Sequence, residues 1–186
     1  AEEERLARNF IGRAGDILNG CLNEANLLRA EVWIANSARC RPINPAGKNR
    51  KPTLHEIDCC RGYLVDELAR IKPKVIVALG DVALTTLMGK PMGGITEHRG
   101  KVAWSDEFNA WIVATFHPAY ALRRYSQREF IIDDLTLAKR VCEEGGPRTP
   151  EPTEIDVILS LDDAYRMRDT LFKAGKFHYD WETKGQ

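Results

Sequence analysis

Apolar residues recur along the chain at two spacings, one typical of helices and one typical of buried strands. Helical spacing covers the segment after GRAG, at Ala14, Ile17, Leu18, Cys21, Leu22, Ala25 and Leu28. This pattern predicts an amphipathic helix. A second helical face begins after Thr53, which has Glu56 three residues later in the spacing of a capping box. Residues 128–142 predict a further helix, and Asp81 is predicted to cap a short helix that ends at Met88.

Three short apolar runs lie between these helices and predict strands. They are EVWIANS (31–37), KVIVALG (74–80) and WIVATF (111–116). The second run lies between Pro73 and Gly80, a length and a setting that suit a buried parallel strand. Strands that alternate with helices predict an α/β sandwich with a mostly parallel sheet.

The composition changes near the C-terminus. Residues 143–154, EEGGPRTPEPTE, are rich in proline, glycine and glutamate and predict a linker. Beyond it, IDVILS predicts a strand, residues 162–174 a helix and KFHYD another strand. We therefore expect one domain over residues 1–142 and the opening β-α-β of a second, incomplete domain over residues 155–186.

The charges balance overall but are unevenly placed. Lys plus Arg and Asp plus Glu both number 27, so net charge neither supports nor excludes a nucleic-acid partner. Five cations lie between Ser37 and Lys51 with no acid among them: Arg39, Arg41, Lys48, Arg50 and Lys51. A second basic group consists of Arg123, Arg124 and Arg128. A phosphate backbone requires such a basic stripe, although a solvated loop explains the first group equally well.

The cysteine content bears on the compartment. Five cysteines, an odd number, without a signal peptide predict an intracellular, reducing environment. No apolar run is long enough to cross a bilayer, so we expect no membrane attachment. We also expect a cytoplasmic protein and a monomer.

Three features of the sequence could carry chemistry. His117 follows the strand WIVATF, where it could donate a hydrogen bond to a developing negative charge. Asn36 ends EVWIAN, and its amide could read the edge of a base. Cys40 with Cys59 or Cys60 could supply half of an iron–sulfur site. Taken singly, each has a simpler explanation: a histidine bonded to nearby backbone, a turn asparagine and buried thiols.

Six segments in order give these residues a context. They are FIGRAG (10–15), IANSARCRP (34–42), NRKPTLHEIDCCRGYL (49–64), KPKVIVALGDVAL (72–84), ITEHRGKV (95–102) and ATFHPAYALRR (114–124). Together they resemble the family 4, iron–sulfur uracil-DNA glycosylases. The resemblance covers residues 1–142 and implies a three-layer α/β/α sandwich. It implies a DNA partner of unknown strandedness and excision of uracil from a flipped nucleotide.

The resemblance also assigns roles. Phe10 matches the aromatic residue that stacks on uracil, Asn36 the residue that reads its polar edge, and His117 the histidine that hydrogen-bonds its oxygen. Arg123 would lie near the DNA backbone with Arg124, and the loop cations Arg39, Arg41, Lys48, Arg50 and Lys51 would follow phosphates. Cys40 and Cys60 match two of the four ligands of a structural 4Fe–4S cluster, Cys60 being favoured over Cys59 by register.

Two parts of the family pattern are absent from the sequence. A GEAPG-like motif with its water-positioning residues precedes the matching region, and a second cysteine pair lies further upstream. We therefore expect an N-terminally truncated domain that lacks two cluster ligands. An alternative to the enzyme is a module that senses uracil or holds DNA without cutting it.

The C-terminal tail resembles the start of the 3′–5′ exonuclease domain of a family A DNA polymerase, a ribonuclease H-like fold. Asp180 and Glu182 match its D-x-E motif, which would hold Mg²⁺ once further carboxylates complete the site. The resemblance implies a glycosylase domain fused to a polymerase in the same parent chain. We associate that arrangement with bacteriophages, so the compartment would be a bacterial cell or a phage-infected host.

Overall fold

The structure of this chain is a computed structural model that describes residues 9–148 and 160–174. The chain divides into two units, Ala1–Arg148 and Thr149–Gln186, which are described separately.

The described part of the first unit consists of six helices and three strands. The helices are α1 (Arg13–Glu24), α2 (Leu54–Ile71), α3 (Gly80–Met88), α4 (Ile95–His98), α5 (Pro118–Ala121) and α6 (Gln127–Glu144). The strands are β1 (Val75–Leu79), β2 (Val102–Ser105) and β3 (Ala110–Thr115). Within the described residues no helix is both long enough and apolar enough to span a membrane.

The sheet has the strand order β1-β3-β2. β1 runs parallel to β3, with Val77 opposite Val113, whereas β2 runs antiparallel to β3, with Trp104 opposite Trp111. The described sheet is thus mixed, and the expectation of a mostly parallel sheet does not hold for it. The reason is the four-residue connection between β2 and β3, because so short a turn can join only antiparallel strands.

Helices cover both faces of this sheet. Ile76 and Ala78 of β1 pack in a cluster with Leu64 of α2 and the α3 leucines, while Val77 contacts the opposite cluster. That opposite cluster is built from Leu18 and Leu22 of α1, Ile131 and Leu135 of α6, and Phe116. Alternate residues of a strand point to opposite faces, so the short apolar run KVIVALG supplies both cores. The arrangement has three layers, α/β/α.

The predicted strand EVWIANS does not form a ladder. Residues 33–36 have no regular secondary structure and pair with no strand in the described part of the chain. Val32 and Ile34 nevertheless pack against the α1–α6 cluster. A strand exists only where a neighbour accepts its backbone hydrogen bonds, and here a cleft of about 1230 Å³ lies between this segment and β1. On its other side, β1 pairs with β3.

Helix boundaries follow the sequence signals with two exceptions, and the first is that α1 ends at Glu24, before Ala25 and Leu28 of the predicted helical pattern. The capping box of Thr53 and Glu56 is present, and the helix over residues 128–142 is confirmed, extending to Glu144 and so into the predicted linker. Asp81, however, does not cap α3. The helix starts at Gly80, one residue before Asp81, and its N-cap is Leu79. Its carboxylate instead accepts a hydrogen bond from the amide of Ile95 at 2.7 Å, which joins α3 to α4.

In the second unit the structure describes α7 (Leu161–Ala174), which confirms the predicted helix over residues 162–174. Ser160 caps it by accepting a hydrogen bond from the amide of Asp163 at 3.2 Å. Residues 155–159 of the predicted strand IDVILS, the strand KFHYD, and Asp180 and Glu182 lie outside the described residues.

Candidate functional site

His117 lies at the point where β3 ends and α5 begins. Its neighbour Phe116 is buried, which anchors the strand end in the core, and His117 itself is the N-cap of α5. Its Nδ1 accepts a hydrogen bond from the backbone amide of Ala119 at 3.1 Å. A nitrogen that accepts cannot carry the proton, so in the neutral imidazole the proton resides on Nε2. The strand-to-helix junction therefore makes Nε2 a hydrogen-bond donor.

Gly80 allows the end of β1 to come close to this histidine. A Cβ at Gly80 would lie 3.0 Å from Cβ of His117, and Gly80 has a φ of 85°, which favours glycine. The glycine of KVIVALG thus has a local role, because a larger residue would push β1 away from His117.

Phe10 lies beside His117, although the two are far apart in the sequence. Their ring centroids are 5.5 Å apart and the planes are inclined by 31°. Phe10 has a φ of 55°, and a Cβ at Gly15 would lie 1.8 Å from its carbonyl oxygen. The glycine at the end of FIGRAG is therefore required for the turn that presents this aromatic ring.

Asn36 is held by Asn9, the residue that precedes Phe10. Nδ2 of Asn36 donates to Oδ1 of Asn9 at 3.0 Å, and Nδ2 of Asn9 donates to the carbonyl oxygen of Ile34 at 3.1 Å. The sequence pattern indicates Asn36 as a site residue but does not indicate Asn9. The only signal was its position next to Phe10, since a single asparagine gives no indication of its distant partners.

The cleft beside β1 brings these residues together. Phe10, Asn36 and His117, all predicted to contact uracil, line it along with Asn9. The cleft continues along apolar side chains of β1, α1 and α2. Its lining thus combines an aromatic ring, an amide and an imidazole donor, which suits a planar polar ring. Glu31 is its only carboxylate in the part of the chain that the structure describes.

The two candidate cluster cysteines lie on neighbouring segments. The amide of Arg39, next to Cys40, points at Sγ of Cys60 over 3.4 Å. Cys59 is exposed, and its Sγ lies 3.7 Å from Nε2 of His55 one turn away on α2. Cys60 therefore faces the Cys40 segment and Cys59 does not.

A four-iron cluster needs four ligands, and the described residues do not fit a complete one. Among residues 9–148 and 160–174 no group of three or more His, Cys, Asp or Glu could hold a metal ion. Cys40 and Cys60 offer at most two thiolates.

The basic residues divide into two sets by their partners. Arg39 pairs with Glu67, Arg50 makes a bidentate pair with Glu56, and Lys51 lies 3.6 Å from Asp81. By contrast, no ion pair within the described part of the chain involves four other cations: Arg41, Lys48, Arg123 and Arg124. Arg128, in the second basic group, is paired with Glu24, whose pKa is lowered by the hydrogen bond from Arg128.

Known proteins resemble the chain over most of its length. Residues 1–136 match the uracil DNA glycosylase superfamily. The chain is 36% identical over 148 residues to the type-4 uracil-DNA glycosylase of Thermotoga maritima, an alignment covering 78% of this chain and 74% of that protein. It is 34% identical over 154 residues to the type-4 enzyme of Archaeoglobus fulgidus, covering 78% and 74%. The type-4 enzyme of Pyrobaculum aerophilum is 32% identical over 142 residues, covering 74% and 70%.

Proposed function

Since this chain belongs to the uracil-DNA glycosylase superfamily, we propose that it contributes a site that excises uracil from DNA by hydrolysing the N-glycosidic bond. The observation that carries the proposal is the placement of Phe10, Asn36 and His117 on one cleft. Uracil within a duplex is inaccessible, so the nucleotide must be flipped into such a cleft at a cost of a few kcal/mol.

Phe10 and His117 would have different roles toward the base, stacking for Phe10 and charge stabilisation for His117. Stacking on the Phe10 ring would recover about 1–3 kcal/mol of the cost of flipping. As the bond breaks, negative charge develops on uracil, and the Nε2 proton of His117 would stabilise it by about 3–4 kcal/mol. The proton is already on this nitrogen because Nδ1 is occupied by the Ala119 amide. Asn36 would read the polar edge of the ring.

We also propose that the cleft receives one more strand, contributed by polypeptide outside the described residues. β1 is apolar, helices cover both faces of the sheet, and residues 33–36 line the other side of the cleft with no ladder partner among the described residues. A parallel strand there would pair with β1 and give EVWIANS the neighbour it lacks. The same segment would deliver the water-positioning residues of the family pattern.

Cys40 and Cys60 would supply two of the four thiolates of the iron–sulfur cluster that the family resemblance implies, with the other thiolates supplied from outside the described residues. When complete, the cluster would serve to hold the loop that follows Cys40 in place. The hydrogen bond from Arg39 to Cys60 supports Cys60, rather than Cys59, as the ligand. This chain by itself should purify without the broad absorbance of a 4Fe–4S cluster.

The basic residues without a carboxylate partner in the described part of the chain are the best candidates for phosphate contacts. Arg123 and Arg124 follow His117 closely and are exposed, and Arg41 and Lys48 lie in the loop after Cys40. Paired cations such as Arg39 and Arg50 would first have to leave Glu67 and Glu56.

The tail supports a second proposal, that the second unit begins a 3′–5′ exonuclease domain of a DNA polymerase. Its support is the helix α7 at the predicted place together with the D-x-E motif of Asp180 and Glu182. A chain extended at its C-terminus should degrade 3′ ends in Mg²⁺, and Asp180→Ala should abolish that activity. Extended protein that leaves 3′ ends intact in Mg²⁺ would contradict this assignment.

One observation favours a non-catalytic alternative. Glu31 is the only carboxylate that lines the cleft in the described residues, so this part of the cleft offers at most one acidic side chain to activate water. If the additional segment brings none, the domain would bind uracil without cutting. It would then act as a sensor that holds the template for the polymerase.

Excision can be tested with a single-stranded oligonucleotide that carries one uracil, in chelator so that no exonuclease acts. The protein would be tested as the present chain and with its natural upstream residues, and alkali would reveal abasic sites. We expect cleavage by the extended protein, its loss in His117→Ala and its retention in the control His55→Ala, which changes a histidine on α2. Uracil-selective binding without cleavage would establish the sensor instead. An extended protein that neither cleaves nor prefers uracil would contradict both functions.

A further inference from the structure

Asn9 connects the turn that carries Phe10 to the segment that carries Asn36. Its amide group makes two hydrogen bonds, as a donor to the carbonyl oxygen of Ile34 and as an acceptor from Nδ2 of Asn36. Both bonds are partly buried, and each joins residues more than twenty positions apart in the sequence. A partly buried hydrogen bond of this kind restricts the geometry of its partners because breaking it leaves a polar group unpaired.

The direction of these bonds is fixed at one end by the backbone. A carbonyl oxygen such as that of Ile34 can only accept, so Asn9 must turn its NH₂ group toward Ile34. Oδ1 of Asn9 then faces Asn36, which must donate a hydrogen bond from its own NH₂ group. Turning either amide over would place two oxygens against each other. The orientation of the Asn36 amide is therefore set by a backbone group that cannot change its role.

That orientation matters for which pyrimidine Asn36 accepts. After the bond to Asn9, Asn36 retains one N–H donor and its Oδ1 acceptor. Uracil presents an acceptor, O4, next to a donor, N3–H, which is complementary to such a pair. Cytosine presents the reverse, an amino donor next to the acceptor N3, and would need the Asn36 amide turned over.

We propose that Asn9 is a positioning residue that makes Asn36 selective for uracil over cytosine. The inference rests on the proposed function, since it assigns Asn36 to the polar edge of the base. Thymine carries the same polar edge as uracil and differs by a methyl group, so Asn9 would have no influence on the choice between uracil and thymine. Comparing the preference over cytosine with the preference over thymine therefore distinguishes a loss of amide orientation from general damage to the cleft.

The test is equilibrium binding of oligonucleotides that carry a single uracil, cytosine or thymine on a 2′-fluorinated sugar that resists cleavage. Asn9→Ala should lower the preference for uracil over cytosine by about tenfold, the effect of removing one hydrogen bond, and leave the preference over thymine unchanged. Asn9→Leu, which keeps the side-chain volume, should do the same. The control Asn23→Ala, at an exposed position of α1, should change neither ratio.

A double substitution completes the test. If Asn9 acts through Asn36, the variant Asn9→Ala with Asn36→Ala should discriminate no worse than Asn36→Ala. Variants of Asn9 that keep the uracil-to-cytosine ratio, or that lower both ratios together, would overturn the proposal. Equal binding of all three oligonucleotides by the wild-type protein with its natural upstream residues would contradict the proposed function itself, and with it this role for Asn9.

Discussion

The backbone amide of Ala119 donates a hydrogen bond to Nδ1 of His117 over 3.1 Å. This one interaction does two things. It caps the short helix α5, and it leaves Nε2 as the protonated nitrogen of the neutral ring. The residue proposed to stabilise the departing base is thus also the residue that starts the helix behind it.

The two roles of His117 can be separated by substitution. Asn is a good N-cap, so His117→Asn should keep the stability of the domain, but its shorter amide cannot replace Nε2. Excision by the N-terminally extended chain should fall about 100-fold or more. Urea unfolding and initial excision rates would be measured side by side. A His117→Asn variant as active as the wild type would show that Nε2 does not act on the base.

Gly15→Ala should disrupt the presentation of Phe10. In an open helical position this change favours the helix by about 1 kcal/mol. Here the added Cβ would lie 1.8 Å from the Phe10 carbonyl oxygen, so the turn must move. We expect lower stability and weaker binding of uracil-containing DNA, measured by thermal unfolding and anisotropy. The matched control is Gly62→Ala in α2, where a Cβ meets nothing within 4 Å and should stabilise the protein.

Salt dependence should distinguish the two sets of basic residues. Removing a cation that binds a phosphate reduces the slope of log K against log salt by about 0.7–0.9. Arg123→Ala, Arg124→Ala and Lys48→Ala should each show this change, whereas Arg39→Ala and Arg50→Ala should show less because Glu67 and Glu56 already hold those guanidinium groups. Equal effects across all five variants would mean that the internal ion pairs open on DNA.

The N-terminus of α2 should lose support in acid. Hydrogen bonds from Arg50 and from the Thr53 amide lower the pKa of Glu56 from 4.5 to about 2. Because the pKa of Glu56 is lower in the folded state than in the unfolded state, its ionised carboxylate stabilises the folded protein at pH values above the unfolded-state pKa. This contribution is lost as pH falls from about 4.5 toward 2. Glu56→Gln keeps a capping side chain without the charge. The difference in unfolding free energy between wild type and Glu56→Gln should shrink across that interval, and a constant difference would refute the assignment.

The sequence predicted local structure well where the cause is local. The capping box of Thr53 and Glu56 involves residues three apart, and it starts α2 as the pattern indicates. The apolar run of β1 and the helical spacing of α6 are likewise local signals, because the spacing of apolar residues determines which face of a strand or helix is buried. His117 and Phe10 were recognisable from the segments that contain them, and the structure places their rings side by side.

The predictions that were wrong concern interaction partners that local sequence patterns do not reveal. EVWIANS has the composition of a strand, but a strand also needs a neighbour, and none pairs with it in the described residues. Asp81 has the position of a cap, yet its carboxylate accepts a hydrogen bond from the amide of Ile95, which lies 14 positions further along the chain. The five loop cations look alike in the sequence, and only the fold pairs some of them with carboxylates of α2 and α3.

By itself the sequence determined the family, the order of most elements and the residues expected to meet the base. Those properties depend on residue types at short spacings, which a chain carries whether folded or not. The tertiary structure decided which of Cys59 and Cys60 faces Cys40, that Arg39 pairs with Glu67, and that Asn36 donates a hydrogen bond to Asn9. These depend on contacts between residues more than twenty positions apart, and such contacts exist only once the sheet and its two helical layers have brought distant segments together.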